Sequence, residues 1–275
     1  MNKPNFFCIG AQKSGTTLLY ELLRKHPEIY IPEQKELHFF DIDDNYKKGI
    51  SWYLQFFKPS INQKAIGTIT PSYIYFDDVP ERIQAELGNN IKFIIILRNP
   101  IDRAYSHYWM SFKRGYETLS FEKAIMMEHA RIRKGYFEKN NFSYISRGFY
   151  SEQLERYYRF FPKENFKILI FERFIKQTEQ HLCEILDFLG VDKFQINKGN
   201  YIVHKGNLML NLYLKGCILN KRIPNIFSVI KGGFKYISYP PMKRKTRQFL
   251  LKLYEAEICN LENKLNVELQ EWKED

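Results

Sequence analysis

Three short runs of the chain, Phe6 to Ile9, Ile91 to Leu97 and Phe166 to Phe171, are apolar at nearly every position. Strands covered on both faces read this way, because neither side of the sheet meets water. Between the runs the apolar positions recur at helical spacing. Thr16 to Lys25 places Leu18, Leu19, Leu22 and Leu23 on one side. Val79 to Leu87, Arg103 to Arg114, Phe121 to Ile132 and Ser151 to Phe160 follow the same pattern, and Gln177 to Leu189 stops at Gly190. A long helix is predicted over Thr246 to Leu265. Strands alternating with helices predict one doubly wound α/β domain over residues 1–275 with a central parallel sheet. Ligands of such sheets bind at the carboxyl ends of the strands, where Lys13 and Arg98 both fall.

Composition narrows the class. The hydrophobic share of 44% and aromatic share of 16% over 275 residues suit a folded domain with its own core. No run approaches the roughly 18 apolar residues of a spanning helix. The chain enters its first strand almost at once, so no secretory signal is expected. Cys8, Cys183, Cys217 and Cys259 show no metal-ligand spacing, and a reduced cytoplasmic setting is the simplest expectation. Charge is uneven: Lys193 to Tyr254 holds 13 Lys or Arg and no Asp or Glu. The rest carries 42 − 13 = 29 basic against 31 acidic residues, so the whole excess of +11 sits in that stretch. Such a stretch suits an anionic glycan, a nucleotide or a lipid headgroup surface, or is a solvated face.

The chemistry-bearing motifs lie at the predicted strand ends. After the first run comes Gly10-Ala11-Gln12-Lys13-Ser14-Gly15-Thr16-Thr17. The free amides of a helix's first turn at Gly15, Thr16 and Thr17, with the Lys13 charge beside them, suit a phosphate or sulfate; otherwise this is an ordinary strand-to-helix turn. A Walker A loop places Lys after its second glycine, but here Lys13 precedes Gly15. After the second run, Arg98 is followed eight residues later by Ser106, a planar fork and a hydroxyl that could share a second phosphate; Arg98 could instead serve a structural ion pair. Lys35-Glu36-Leu37-His38-Phe39-Phe40-Asp41 sets two proton-transfer residues two apart, which point the same way on an extended segment; the alternative is a surface carboxylate and a packed imidazole.

Lys13-Ser14-Gly15-Thr16-Thr17 resembles the 5′-phosphosulfate loop, K-x-G-T-[TS], of the sulfotransferases that use 3′-phosphoadenosine 5′-phosphosulfate (PAPS). Arg98 and Ser106 are similar to that family's 3′-phosphate grip. The Lys35 to Asp41 segment resembles the [KN]-E-x-H-F-F-D of the glucosaminyl 3-O-sulfotransferases, in which Glu36 would match the base and His38 a residue of the same site. With Gln for His it resembles the heparan N-sulfotransferases. The likeness continues through Pro71-Ser72-Tyr73 and Arg147 to Pro162. At Tyr201 it implies an adenine-stacking aromatic, and at Lys205-Gly206-Asn207 a cofactor-binding loop. The chain departs from the family at Ile69, where the glycan enzymes carry a lysine, and at Asn207, where they carry an arginine. It also lacks the disulfide-bearing loop of the secreted relatives.

The resemblance implies sulfuryl transfer from PAPS to a hydroxyl or amine, most simply of a carbohydrate or glycolipid. The product would be 3′-phosphoadenosine 5′-phosphate (PAP), with no metal and no nucleic-acid partner. The basic stretch adds an expected peripheral contact with an anionic membrane surface. Two other readings are a P-loop nucleotide kinase, which needs Mg²⁺ and for which Glu172 at a strand end would be the carboxylate, and a non-catalytic binder of anionic glycan or membrane. The first lacks the G-K-[ST] order, and the second leaves Glu36 and His38 unexplained.

Overall fold

The computed structural model describes residues 2–193, 207–209, 236–238 and 240–274. The chain clusters into two compact units, Met1–Asn99 with Tyr150–Val203, and Pro100–Phe149 with His204–Asp275.

The first unit carries the parallel sheet. In chain order its elements are β1 (Phe6–Gly10), α1 (Thr16–Leu23), β2 (Ile29–Tyr30), α2 (Asp43–Tyr46), α3 (Ile50–Leu54), β3 (Ala65–Ile69), α4 (Val79–Leu87) and β4 (Lys92–Leu97). In the second unit follow α5 (Pro100–Lys113), α6 (Phe121–Met126), α7 (Glu128–Arg131) and α8 (Tyr136–Phe142). The chain returns to the first unit with α9 (Tyr150–Tyr158), β5 (Phe166–Ile170), α10 (Phe171–Lys176) and α11 (Thr178–Leu189). The second unit closes with β6 (Asn207–Met209), β7 (Tyr236–Ser238) and α12 (Arg244–Leu265).

The sheet order is β2-β3-β1-β4-β5 and every pair in it is parallel. All three expected strands are present, and two further ones, the two-residue β2 and the five-residue β3, extend the sheet beyond β1. Alternate residues of the central strands serve opposite faces. Phe6, Cys8, Ile94 and Ile96 pack with Leu19, Leu22 and Leu23 of α1 and Leu182, Ile185 and Leu186 of α11. On the other face Phe7 meets Phe40 and Phe93 at ring-centroid distances of 6.0 and 6.3 Å, and Phe93 meets Phe161 at 4.6 Å. Burying each such side chain stabilises the fold by roughly 1.5–3 kcal/mol. Both faces are covered, as the near-continuous apolar runs require. Burial pushes the Cys8 thiol up to about 12, so this cysteine is a packing residue.

In the second unit α5 starts at Pro100, earlier than the expected Arg103, because proline's fixed φ and missing N–H suit a first helical position. The helix expected over Phe121 to Ile132 is broken at Met127 into α6 and α7. The break turns Glu128 inward, where its buried carboxylate accepts the backbone N–H groups of Ile145 and Ser146. The antiparallel β6–β7 pair and α12 complete this unit, and Arg247 of α12 pairs with Asp102 of α5 at 2.9 Å. Among the described residues no helix is long and apolar enough to cross a membrane.

Candidate active site

The phosphosulfate-type loop is built where β1 loses register with β4. Cys8 pairs with Ile94, but Gly10 pairs with Ile95, so the chain bulges at the strand end. A Cβ at Gly10 would overlap Ile74 Cγ2, which leaves glycine as the residue that fits. Ala11 N–H donates to Ile96 O at 2.8 Å and Ser14 N–H to Ala11 O at 3.2 Å, closing a tight turn. Gly15 at φ 83° then starts α1 with no side-chain cap. The first-turn amides of α1 are thus left for an anion. Ser14 is fully buried, and its Oγ has no hydrogen-bond partner.

Arg98 leaves β4 toward this loop. Its Nη1 donates to Lys13 O at 3.0 Å and its guanidinium lies 4.8 Å from the Phe171 ring centroid. The same ring bounds Gly15, where an added Cβ would sit 2.9 Å from it. Arg98 Nε is buried without a partner. A buried hydroxyl and a guanidinium N–H left unsatisfied in one cradle fit an anionic ligand with several acceptor oxygens. Lys13, Ser14, Gly15, Thr16, Thr17 and Arg98 are therefore brought together. Glu172, the carboxylate of the kinase reading, accepts the Asn99 N–H at 3.1 Å.

The Lys35 to Asp41 segment is not the extended segment on which Glu36 and His38 would point the same way. Glu36 and His38 both take left-handed backbone angles, φ 61° and 50°. The turn is fixed by Phe39 and Phe40, whose amides donate to the buried Tyr73 hydroxyl at 3.1 and 3.3 Å. Left-handed geometry turns the two side chains toward each other, with His38 Nε2 3.7 Å from Glu36 Oε2. His38 Nδ1 lies 2.9 Å from Asp41 Oδ2, and that oxygen also accepts the Ser72 hydroxyl at 2.7 Å. Burial alone would lower the imidazole pKa, but Asp41 and Glu36 overcome it and push His38 up to about 9. Burial alone would raise Glu36, but the His38 bond and the Lys35 charge hold it below the usual carboxylate value. Both shifts favour a protonated His38 beside an ionised Glu36 near neutral pH.

Among the described residues four non-glycine residues have left-handed φ, and three of them are Lys13, Glu36 and His38. Each such residue costs about 1–2 kcal/mol, a strain that concentrates at functional sites. Lys35 joins the two halves: its Nζ lies 2.8 Å from Thr17 Oγ1 and 3.5 Å from Glu36 Oε1. Asp41, Ser72, Tyr73 and Lys35 join this arrangement through their contacts, though in the sequence they stand in the motifs with no role of their own. Ile69, in place of the glycan enzymes' lysine, is fully buried at the end of β3.

Ser106 is buried on α5, in the second unit. Tyr201, Lys205 and Gly206 lie outside the described residues, as does most of the basic stretch; Asn207 opens β6. Among the described residues no group of three His, Cys, Asp or Glu is placed to hold a metal ion.

A parallel α/β sheet carries an anion-suited loop at the end of β1, joined through Lys35 to a cluster of Glu36, His38 and Asp41, an arrangement suited to group transfer from an anionic donor. The family model described as the sulfotransferase domain matches residues 3–214. Heparan sulfate glucosamine 3-O-sulfotransferase 5 of Mus musculus is 32% identical over 226 residues, covering 78% of this chain and 63% of that protein. The chain thus spans less than two thirds of that relative's length. Membrane-associated sulfotransferase kil1 of Dictyostelium discoideum is 26% identical, covering 85% of this chain and 66% of that protein. A sulfotransferase structure from Alicyclobacillus acidocaldarius superposes with a TM-score of 0.76 at 26% identity, over 100% of both chains. The fold is shared with mouse sulfotransferase SULT7A1 complexed with PAP, at a TM-score of 0.53 and 14% identity over 97% of this chain and 90% of that one. The chain belongs to the sulfotransferase family, enzymes whose sulfate donor is PAPS. That membership sets the nucleotide kinase reading aside.

Proposed function

We propose that the protein transfers a sulfuryl group from PAPS to a hydroxyl or amine of a carbohydrate or glycolipid. The observation that carries this reading is the tie between the strand-end loop and the acidic segment: Lys35 Nζ lies 2.8 Å from Thr17 Oγ1 and 3.5 Å from Glu36 Oε1, with Lys13, Glu36 and His38 each at left-handed φ. The similarity to a glucosamine 3-O-sulfotransferase supports a sugar acceptor.

The donor supplies an activated sulfuryl group and a phosphate leaving group. Ser14 and the first-turn amides of α1 hold its anionic end, and Lys13 neutralises charge growing at the bridging oxygen. Arg98 binds the 3′-phosphate; Ser106 joins it in this reading on the strength of their eight-residue spacing. Tyr201 and the Lys205-Gly206-Asn207 loop complete the nucleotide site on the strength of their motifs.

Glu36 takes the acceptor's proton. A carboxylate with a lowered pKa is a weak base toward a free alcohol, so it works late, when the forming oxygen–sulfur bond has made the proton acidic. His38, protonated, orients Glu36 and holds its charge until the proton arrives. Asp41, fixed by Ser72, keeps the imidazole in register. These residues supply proton transfer and charge stabilisation without a metal.

The acceptor class is tested by offering ³⁵S-labelled PAPS with heparosan, N-sulfated heparosan oligosaccharides, a glycolipid and a simple phenol. Label entering a sugar supports the reading; label entering the phenol alone overturns the carbohydrate assignment. We place the enzyme in the cytoplasm, with its basic stretch resting on anionic membrane; the name of the Dictyostelium relative supports that contact. Sedimentation with phosphatidylserine vesicles should fall steeply between low and physiological salt, and salt-independent or absent sedimentation contradicts it.

A further inference from the structure

Lysine is usually a solvated point charge on a flexible stem, yet the Lys35 side chain is only 21% exposed. Its place is fixed from α1. The Tyr20 hydroxyl donates to Pro32 O and Glu33 O at 3.3 and 3.1 Å, pinning the chain just before Lys35 to that helix. The Tyr20 ring centroid lies 6.0 Å from Lys35 Nζ, and Thr17, one turn earlier, takes the ammonium at 2.8 Å. Glu36 Oε1 is 3.5 Å away on the other side. The neighbouring end of β3 brings no charge, because Ile69 is fully buried and Thr70-Pro71 follows. Lys35 thus bridges the anion loop and the carboxylate that receives the proton. An ammonium has three N–H donors, and these two contacts use two of them.

We infer that Lys35 grips the non-bridging oxygens of the transferring sulfuryl group and links donor occupancy to Glu36. The inference rests on the reading of the loop and of Glu36 given above. In the step itself the acceptor oxygen forms a bond to sulfur while the bond from sulfur to the bridging oxygen breaks. The electron pair leaves on the phosphate oxygen of PAP, and the acceptor's proton passes to Glu36. As Glu36 becomes neutral, Lys35 loses its carboxylate partner, and its charge becomes available to the sulfuryl oxygens. The contact is therefore stronger in the transition state than before it, which is the condition for raising turnover and not merely affinity. Lys13 and Lys35 divide the work: Lys13 belongs to the leaving side and Lys35 to the side on which the acceptor enters.

The test compares the parent, Lys35→Met and Lys35→Arg by three readouts: affinity for PAP, affinity for PAPS without acceptor, and PAP release with N-sulfated heparosan oligosaccharide. PAP lacks the sulfuryl group, so Lys35→Met should bind it within about threefold of the parent while losing on the order of 10² in turnover, the scale of one oxyanion-type donor. Its preference for PAPS over PAP should fall, and Lys35→Arg should recover both properties in part. Parent-like turnover with parent-like PAPS preference in Lys35→Met overturns the inference. So does an equal loss of PAP affinity and turnover, which would make Lys35 only a strut for the loop. If Lys35→Met does not fold, Lys35→Gln carries the same comparison. Glu36→Gln is run beside them: if it is inactive while Lys35→Met turns over normally, only this inference fails. If Glu36→Gln turns over normally, the assignment of the base fails.

Discussion

Asp41→Asn removes one of the two carboxylates that hold the His38 proton and leaves a side chain of nearly the same shape. The imidazole is raised from 6.5 to about 9, with its side chain 25% exposed. At 1.36 kcal/mol per unit, that shift is roughly 3 kcal/mol of differential interaction, an upper bound because water screens part of it. A raised folded-state pKa stabilises the fold fully below the unfolded value of 6.5, and that stability is lost as pH rises through about 9. The parent should therefore lose stability between about pH 7 and pH 10, and Asp41→Asn should start lower and lose less across that window. An opposite charge in contact moves a pKa by about 1–3 units, so the His38 titration in Asp41→Asn should fall by about that much. The assay is a histidine titration by NMR, with the His38 signal assigned by its absence in His38→Gln, run beside denaturant melts at each pH. The alkaline limb of kcat/KM should move down with the titration. An unchanged His38 pKa in Asp41→Asn, or a parent whose stability is flat from pH 7 to 10, would refute the relay.

Lys13→Ala should lower turnover by on the order of 10²–10³ while the protein still folds, measured by PAP release at saturating PAPS; a loss below tenfold removes it from charge stabilisation. PAP should raise the thermal midpoint far more than AMP does, since a ligand at 100 times its dissociation constant adds about 2.7 kcal/mol. Arg98→Ala should abolish that preference, and equal shifts from AMP and PAP in the parent would sink the 3′-phosphate assignment.

Much of the donor side was legible because its signals are local. The run Phe6 to Ile9, the glycines of the loop and the helical leucines of α1 sit within twenty residues and act through backbone geometry. Arg98 could be read as a strand-end residue because Phe93 to Leu97 of β4 are all apolar. β3 hid itself: Gly67 interrupts it, at a point where a Cβ would collide with the Phe6 carbonyl oxygen of the neighbouring strand. β2 has two residues, too few to show a period. On the acceptor side the residue types of Glu36 and His38 stand out in the sequence, but their backbone geometry does not. Their left-handed turn is imposed by the hydroxyl of Tyr73, 33 and 34 residues away from the amides it accepts. Asp41 and Ser72 escaped for the same reason, since a hydrogen bond across 31 residues leaves no local pattern.

The measurement that tests the account most directly is single-turnover transfer of ³⁵S from PAPS to the acceptor class found in the panel, in the parent and in Glu36→Gln at equal PAP affinity. The account predicts unchanged nucleotide binding and a loss of roughly 10²–10⁴ in the transfer step, the contribution of a positioned general base. Transfer at the parent rate with nucleotide binding intact would contradict it.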